Sequence, residues 1–321
     1  MAMFKIALAT IAIACAGTTA HAQSSYPEKP VRVLVGFGAG SGPDVLTRTV
    51  AMQLSDMLGQ QFLVDNRTGA NGTIATRLLT QSAPDGYTLM YSSSSISPTP
   101  FVYKALPYDL KTDLQPIATV GILDGFLMLV NPSLPVKTLP EFIAYAKKNR
   151  VLFGSPGVGN ILHLAAEQLN VTAGLKMEHV PYKGAAHVAQ ALLANDIHVM
   201  FVTPPSVVGF IKDGALRPIA FTGTKPFPMF PQVPLLRDVL PDYPVQGSWG
   251  MFYAPAKTPD AIIAKLNTAI QAAIKKPAAA KVLTSSGYFP DGRDAAATTA
   301  FFHERIEAAG RAVKAAGIEP Q

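Results

Sequence analysis

The stretch 36–44, GFGAGSGPD, carries the densest chemical signal in this chain of 321 residues. Gly36, Gly38, Gly40 and Gly42 let the backbone turn tightly and approach a bound group closely. The run VRVLV at 31–35 reads as a buried strand before it, and the apolar spacing of 45–58 reads as a helix after it. A loop that ends at a helix N-terminus aims unpaired N–H groups and the positive end of the helix dipole outward, which suits an anion. Residues 155–160, SPGVGN, repeat the device between a strand at 151–154 and a helix at 161–169. Two such loops could grip one anion from opposite sides.

Other chemistry fits the spacing less well. Gly36, Gly38 and Gly40 resemble the opening of a dinucleotide fingerprint, but the third glycine position falls on Ser41 or Pro43, depending on the starting glycine. No G-x-S-x-G elbow is present, and no segment has the spacing of a phosphate-binding P-loop. His163 and Glu167 lie four apart, without a second histidine in register for a metal. His179, His187, His198 and His303 are scattered, and His198 reads as a strand residue pointing away from the core. Neither a cofactor nor a metal is expected. Asp44 reads either as a cap on the helix near Val45 or as a cleft residue.

These groups need elements to hold them. The first residues do not belong to the fold: a positive start, the apolar run IALATIAIACAGTTA and the pattern Ala20-His21-Ala22 make 1–22 a secretory signal peptide cleaved after Ala22. The only cysteine, Cys15, leaves with it, so the mature chain has no disulfide or thiol chemistry. The formal charge of +6 falls to +5 with the loss of Lys5. The remaining cations are dispersed, which speaks against nucleic acid and for a mild field attracting small anions.

Strands at 61–64 and 87–91 alternate with a helix at 73–82, the order of a parallel sheet with crossovers. Ligands of such sheets sit beyond the carboxyl ends of the strands, where Phe37, Gly38, Ala39 and Gly40 fall together with Ser92, Ser93, Ser94 and Ser95. Strands at 177–181, 197–202 (ending at Thr203, a further candidate ligand contact) and 216–221, with helices at 138–148 and 185–194, form a second unit. The runs 123–130 and 248–253 read as strands crossing between the units, and Trp249 on the latter reads as core. Prolines crowd 226–244, marking a loop-rich return. Helices close the chain at 259–275, 277–285 and 298–315. The expected division is 23–125 with 247–321 as one α/β domain and 126–246 as the other, in a single-chain monomer.

Several motifs, in order along the chain, carry a family resemblance. They are YPEKPVR at 26–32, VDNRTGANG at 64–72, APDGYTL at 83–89, LPYD at 106–109, VPYKG at 180–184 and WGMFYAP at 249–255. Together they resemble the Bug (TctC-like) solute-binding subunits of tripartite tricarboxylate transporters. The resemblance spans essentially the whole mature chain. It implies a two-domain periplasmic binding protein, a Venus flytrap with two crossing strands, and no catalysis. It implies a small organic carboxylate as ligand and the membrane subunits of such a transporter as partners. The family's first loop, P-F-x-x-G-G-x-x-D, is matched at Phe37, Gly40 and Asp44 but not at Gly36 or Ser41. Further contacts are implied for Ser92 to Ser95, for Ser155, Gly159 and Asn160, and for His163. Where the family often has Asp after Met-Phe, this chain has Val202, which weighs against an amine-bearing ligand and leaves carboxylates, aromatic ones included, open. An exported enzyme using the same cleft is the alternative, and a sensory role is a third.

Overall fold

The computed structural model describes residues 26–244 and 246–321. The signal peptide, its cleavage after Ala22 and Cys15 lie outside the described residues. The chain opens with β1 (Val31–Val35), α1 (Gly42–Leu58), β2 (Phe62–Asn66), α2 (Thr73–Thr80), β3 (Thr88–Ser93), α3 (Thr99–Val102) and β4 (Leu114–Leu123). It continues through β5 (Leu127–Val130), α4 (Leu139–Ala146), β6 (Leu152–Ser155), α5 (Ile161–Ala173), β7 (Glu178–Pro181), α6 (Ala185–Leu193), β8 (Val199–Val202), α7 (Val208–Lys212) and β9 (Arg217–Phe221). It closes with β10 (Ser248–Pro255), α8 (Asp260–Ala273), α9 (Pro277–Ser285), β11 (Tyr288–Phe289) and α10 (Ala295–Ala315).

Two mixed sheets form, each the base of one α/β unit. The first has the order β11-β4-β10-β3-β1-β2, with β2, β1 and β3 parallel and β10 antiparallel to both β3 and β4. The second has the order β7-β6-β8-β5-β9, with β7, β6 and β8 parallel and β5 antiparallel to its neighbours. The near-continuous apolar run of β1 follows from burial on both faces. Val31, Val33 and Val35 pack with Leu46, Val50 and Leu54 of α1. Leu34 packs on the opposite face with Ala75 and Leu79 of α2 and Phe302 of α10. Trp249 joins that second layer, as expected, with its ring edge-on to Phe301 and Phe302.

The run 123–130, read as one strand, is broken at 124–126, so β4 and β5 lie in different sheets. The break is fixed by polar contacts. The Asp124 carboxylate accepts from the Thr224 N–H at 2.7 Å, and Thr222 Oγ1 accepts from the Phe126 N–H at 2.8 Å. Gly125 is required there, because a Cβ on it would lie 2.3 Å from the Gly223 nitrogen. The chain therefore passes between the sheets twice side by side, between β4 and β5 and between β9 and β10. β10 itself lies wholly within the first sheet.

Candidate functional site

The loop after β1 is shaped from within. Ser41 is the N-cap of α1, its Oγ accepting from the Asp44 N–H, and Pro43 sits in the first turn. The helix thus begins three residues ahead of Val45, and the reading of Asp44 as its cap is corrected: Asp44 lies inside the first turn, 2% exposed. Its carboxylate turns back on the loop. Oδ2 accepts from the Gly40 N–H at 2.8 Å and from Arg48 Nε at 3.0 Å, and Oδ1 accepts from Asn66 Nδ2 at 2.8 Å. Asn66 Nδ2 also donates to the Phe37 carbonyl at 2.9 Å, so one asparagine at the end of β2 ties both ends of the loop. Burial alone would raise the Asp44 pKa, but the hydrogen bonds from Arg48, Asn66 and Gly40 outweigh it and hold the carboxyl below its ordinary range. Arg48 offsets the charge of Asp44 beside the loop. The N–H groups of Phe37, Gly38 and Ala39 meet no acceptor among the described residues, and Gly38 and Ala39 are exposed. They are donors available to a ligand.

The serine run after β3 divides by direction. Ser94 Oγ bonds Ser248 Oγ on β10 at 2.8 Å, an internal tie. Ser93 Oγ accepts from the Ser95 N–H at 3.4 Å. Ser95 Oγ accepts from Asn160 Nδ2 at 3.2 Å, which joins the unit of the first sheet to that of the second. Ser92 is buried on β3.

On the other side, Asn160 caps α5, its Oδ1 accepting from the Leu162 N–H at 3.0 Å. Gly159 has φ +72°, and its N–H donates to His163 Nδ1 at 2.9 Å. An accepting Nδ1 places the His163 proton on Nε2, which faces Glu167 Oε1 at 3.4 Å. His163 is 4% exposed and Glu167 is half-buried, so the pair lies partly shielded from solvent. The His179 ring stacks on His163 at 3.8 Å between centroids and on Phe153 at 5.0 Å, with its Nε2 2.6 Å from Ser155 Oγ. Burial and the neighbouring His163 push the His179 pKa down from 6.5 to about 3, against a smaller opposing pull from Glu167.

That shift makes a stability prediction. His179 stays neutral in the folded protein while the unfolded chain takes up a proton below 6.5. The stability linked to this group is complete above pH 6.5 and is lost as pH falls towards 3. Urea midpoints measured from pH 7 to pH 4 are expected to fall in the wild type and to fall less in His179→Gln.

The structure thus places Phe37, Gly38, Ala39, Gly40 and Asp44 on one rim and Ser155, Gly159, Asn160 and His163 on the other, with Ser95 of the first unit bonded to Asn160. Thr203 precedes a short 3₁₀ turn after β8 and makes no hydrogen bond to the rest of this group among the described residues. Sequence reasoning passed over Asn66, Asn71, Val102, Tyr103 and His179. Asn66 and Asn71 stood within the quoted VDNRTGANG segment, flanking its glycines, and that was the signal for them. Val102 and Tyr103 belong to α3 and its C-cap, an element with no legible pattern.

Two α/β units joined by two adjacent crossings, with glycine loops facing each other at the carboxyl ends of parallel strands, define a periplasmic-binding-protein type of receptor. The family described as tripartite tricarboxylate transporter family receptor, TctC, matches residues 46–318, and the chain belongs to it. This is a family of solute receptors, not of enzymes. Among solved structures, the chain is similar to R. palustris Rpa4515 with adipate, at 30% identity and a TM-score of 0.86, covering 92% of this chain and 100% of that one. The structure of periplasmic binding protein BugD is similar at 28% identity and a TM-score of 0.85, with 92% and 100% covered. MatC (Rpa3494) from Rhodopseudomonas palustris with bound malate is similar at 26% identity and a TM-score of 0.82, with 90% and 100% covered.

Proposed function

We propose that the protein, exported and cleaved after Ala22, closes as a monomer on one small organic carboxylate and delivers it to the membrane subunits of a tripartite tricarboxylate transporter. The units that close are 23–125 with 247–321 and 126–246. One observation carries the carboxylate reading: the first loop exposes the N–H groups of Phe37, Gly38 and Ala39 while Asp44, the acid beside them, is held inside and offset by Arg48. An anion is then held by neutral donors at a helix N-terminus, and no cationic side chain is required. The adipate and malate bound to Rpa4515 and MatC, both carboxylates, support the same class here.

A thermal-shift panel tests it. Mono-, di- and tricarboxylates, aromatic acids and amino acids are each paired with the corresponding neutral amide. A ligand at one hundred times its Kd adds about 2.7 kcal/mol, an easily read shift. A shift from one class of acid, absent with its amide, is expected. A shift from amides alone, or product formed from a bound acid, would return the cleft to an enzyme or another ligand.

A further inference from the structure

The turn between β2 and α2 is the most contorted backbone among the described residues. Gly69, Ala70, Asn71 and Gly72 follow one another at φ 130°, 44°, 54° and 88°. Ala and Asn occupy the left-handed region that favours glycine, a conformation that the surroundings must hold in place. Gly36 packs against this turn so closely that a Cβ on it would lie 2.7 Å from the Gly72 Cα. The turn is thereby pressed onto the first loop, and its contortion points one side chain across the cleft.

That side chain is Asn71. Its Nδ2 donates to the Val158 carbonyl at 2.9 Å, and Val158 belongs to the loop between β6 and α5 on the second sheet's unit. The same nitrogen lies 3.5 Å from Tyr103 OH, at the end of α3. A Cβ on Gly157 would stand 3.5 Å from Asn71 Oδ1, an ordinary van der Waals contact, so the Asn71 side chain reaches Gly157 as well as Val158. The contact joins a strained segment of one unit to the glycine loop of the other, which is held within its own unit by Gly159 to His163 and Asn160 to Leu162 and is tied across the seam a second time by Asn160 to Ser95.

We propose that Asn71 is a positioning residue for ligand capture: its amide latches the 156–160 loop in the closed geometry, without touching the ligand. The inference rests on the proposed capture of a carboxylate between the two units, since the latch has meaning only for a cleft that closes. Every carbonyl–amide pair across the seam lowers the free energy of the closed state relative to the open one, and a ligand that selects the closed state inherits that difference in its apparent affinity.

The test reads closure without any ligand, so its failure is distinct from failure of the carboxylate reading. Spin labels are placed on cysteines at two exposed rim positions, Thr68→Cys and Lys183→Cys. Label-to-label distances are measured by pulsed electron resonance in wild type, Asn71→Asp and Asn71→Gly. Aspartate keeps the shape and the tolerance of left-handed backbone but has no donor. Glycine relieves the strain and removes the side chain. If Asn71 acts as a latch, both variants show a longer distance than wild type while melting within a few degrees of it. If Asn71 only supports its own turn, glycine leaves the distance unchanged, and the proposal is overturned. Coinciding distributions in all three proteins overturn it equally, whatever the carboxylate panel shows.

Discussion

Asp44→Ala is expected to lower stability by about 1–3 kcal/mol and to weaken carboxylate binding at least tenfold. The carboxylate accepts from the Gly40 N–H, Asn66 Nδ2 and Arg48 Nε, and it is almost fully buried. Alanine leaves the Gly40 N–H and one of the two Asn66 Nδ2 protons without an acceptor; Gly40 is exposed and regains water, so the cost is mainly that of the half-buried Asn66 donor, about 1–3 kcal/mol. Arg48 is half exposed and recovers much of its hydration, so its share of the loss is small. The binding effect follows from geometry: Asn66 also holds the Phe37 carbonyl, so releasing it loosens both ends of the loop that presents the ligand's donors. The pH dependence separates the variant from a general defect. The Asp44 pKa is below its ordinary range in the fold, so its stabilisation is complete above the ordinary carboxylate range. That stabilisation is lost as pH falls through the lowered value. Denaturant titrations at pH 7 and pH 3 are expected to show a large gap between wild type and Asp44→Ala at pH 7 and a smaller one at pH 3. Equal gaps would contradict the account.

Gly159→Ala is expected to cost at least tenfold in affinity for a separate reason. Gly159 has φ +72°, where an alanine is strained by about 1–2 kcal/mol. The larger effect is steric. The added Cβ would lie 2.6 Å from both methyl carbons of Val102, which is fully buried on α3 in the opposite unit. Carbon atoms at that separation repel, and moving the units apart is the easiest relief. The double variant Gly159→Ala/Val102→Ala removes the two methyl groups that collide at 2.6 Å and leaves the Val102 Cβ at 2.8 Å. Calorimetric Kd values for the four proteins of this cycle are expected to show affinity partly restored in the double variant, with a coupling of about 1 kcal/mol. If the two single losses simply add, the loop and α3 do not meet when ligand is held.

The glycine loops were legible because their signal is local: glycines between an apolar run and a helical period need no knowledge of tertiary contacts. The same holds for Trp249 in an apolar strand. What escaped was decided at a distance. Within the otherwise apolar 123–130 run, Asp124-Gly125 is itself a turn signal, but that the turn becomes a passage between sheets depends on Thr222 and Thr224, about a hundred residues on. Asp44 reads as a cap by position, but Ser41 three residues earlier takes that role, and only the fold shows the carboxylate turned to Asn66. His179 looked isolated because its partners, His163, Phe153 and Ser155, come from two other elements. Family resemblance supplied the two-unit receptor and the carboxylate class, whereas the contacts between the units came from the structure.

Calorimetric titration of the purified mature protein with the best acid of the panel, beside its neutral amide, tests the central claim most directly. The account predicts one site per chain, a negative heat-capacity change from closure over apolar surface, and affinity for the amide at least a hundredfold weaker. An amide that binds as well as its acid would show that the exposed N–H groups of the first loop do not hold an anion, and the carboxylate-receptor reading of this cleft would fall.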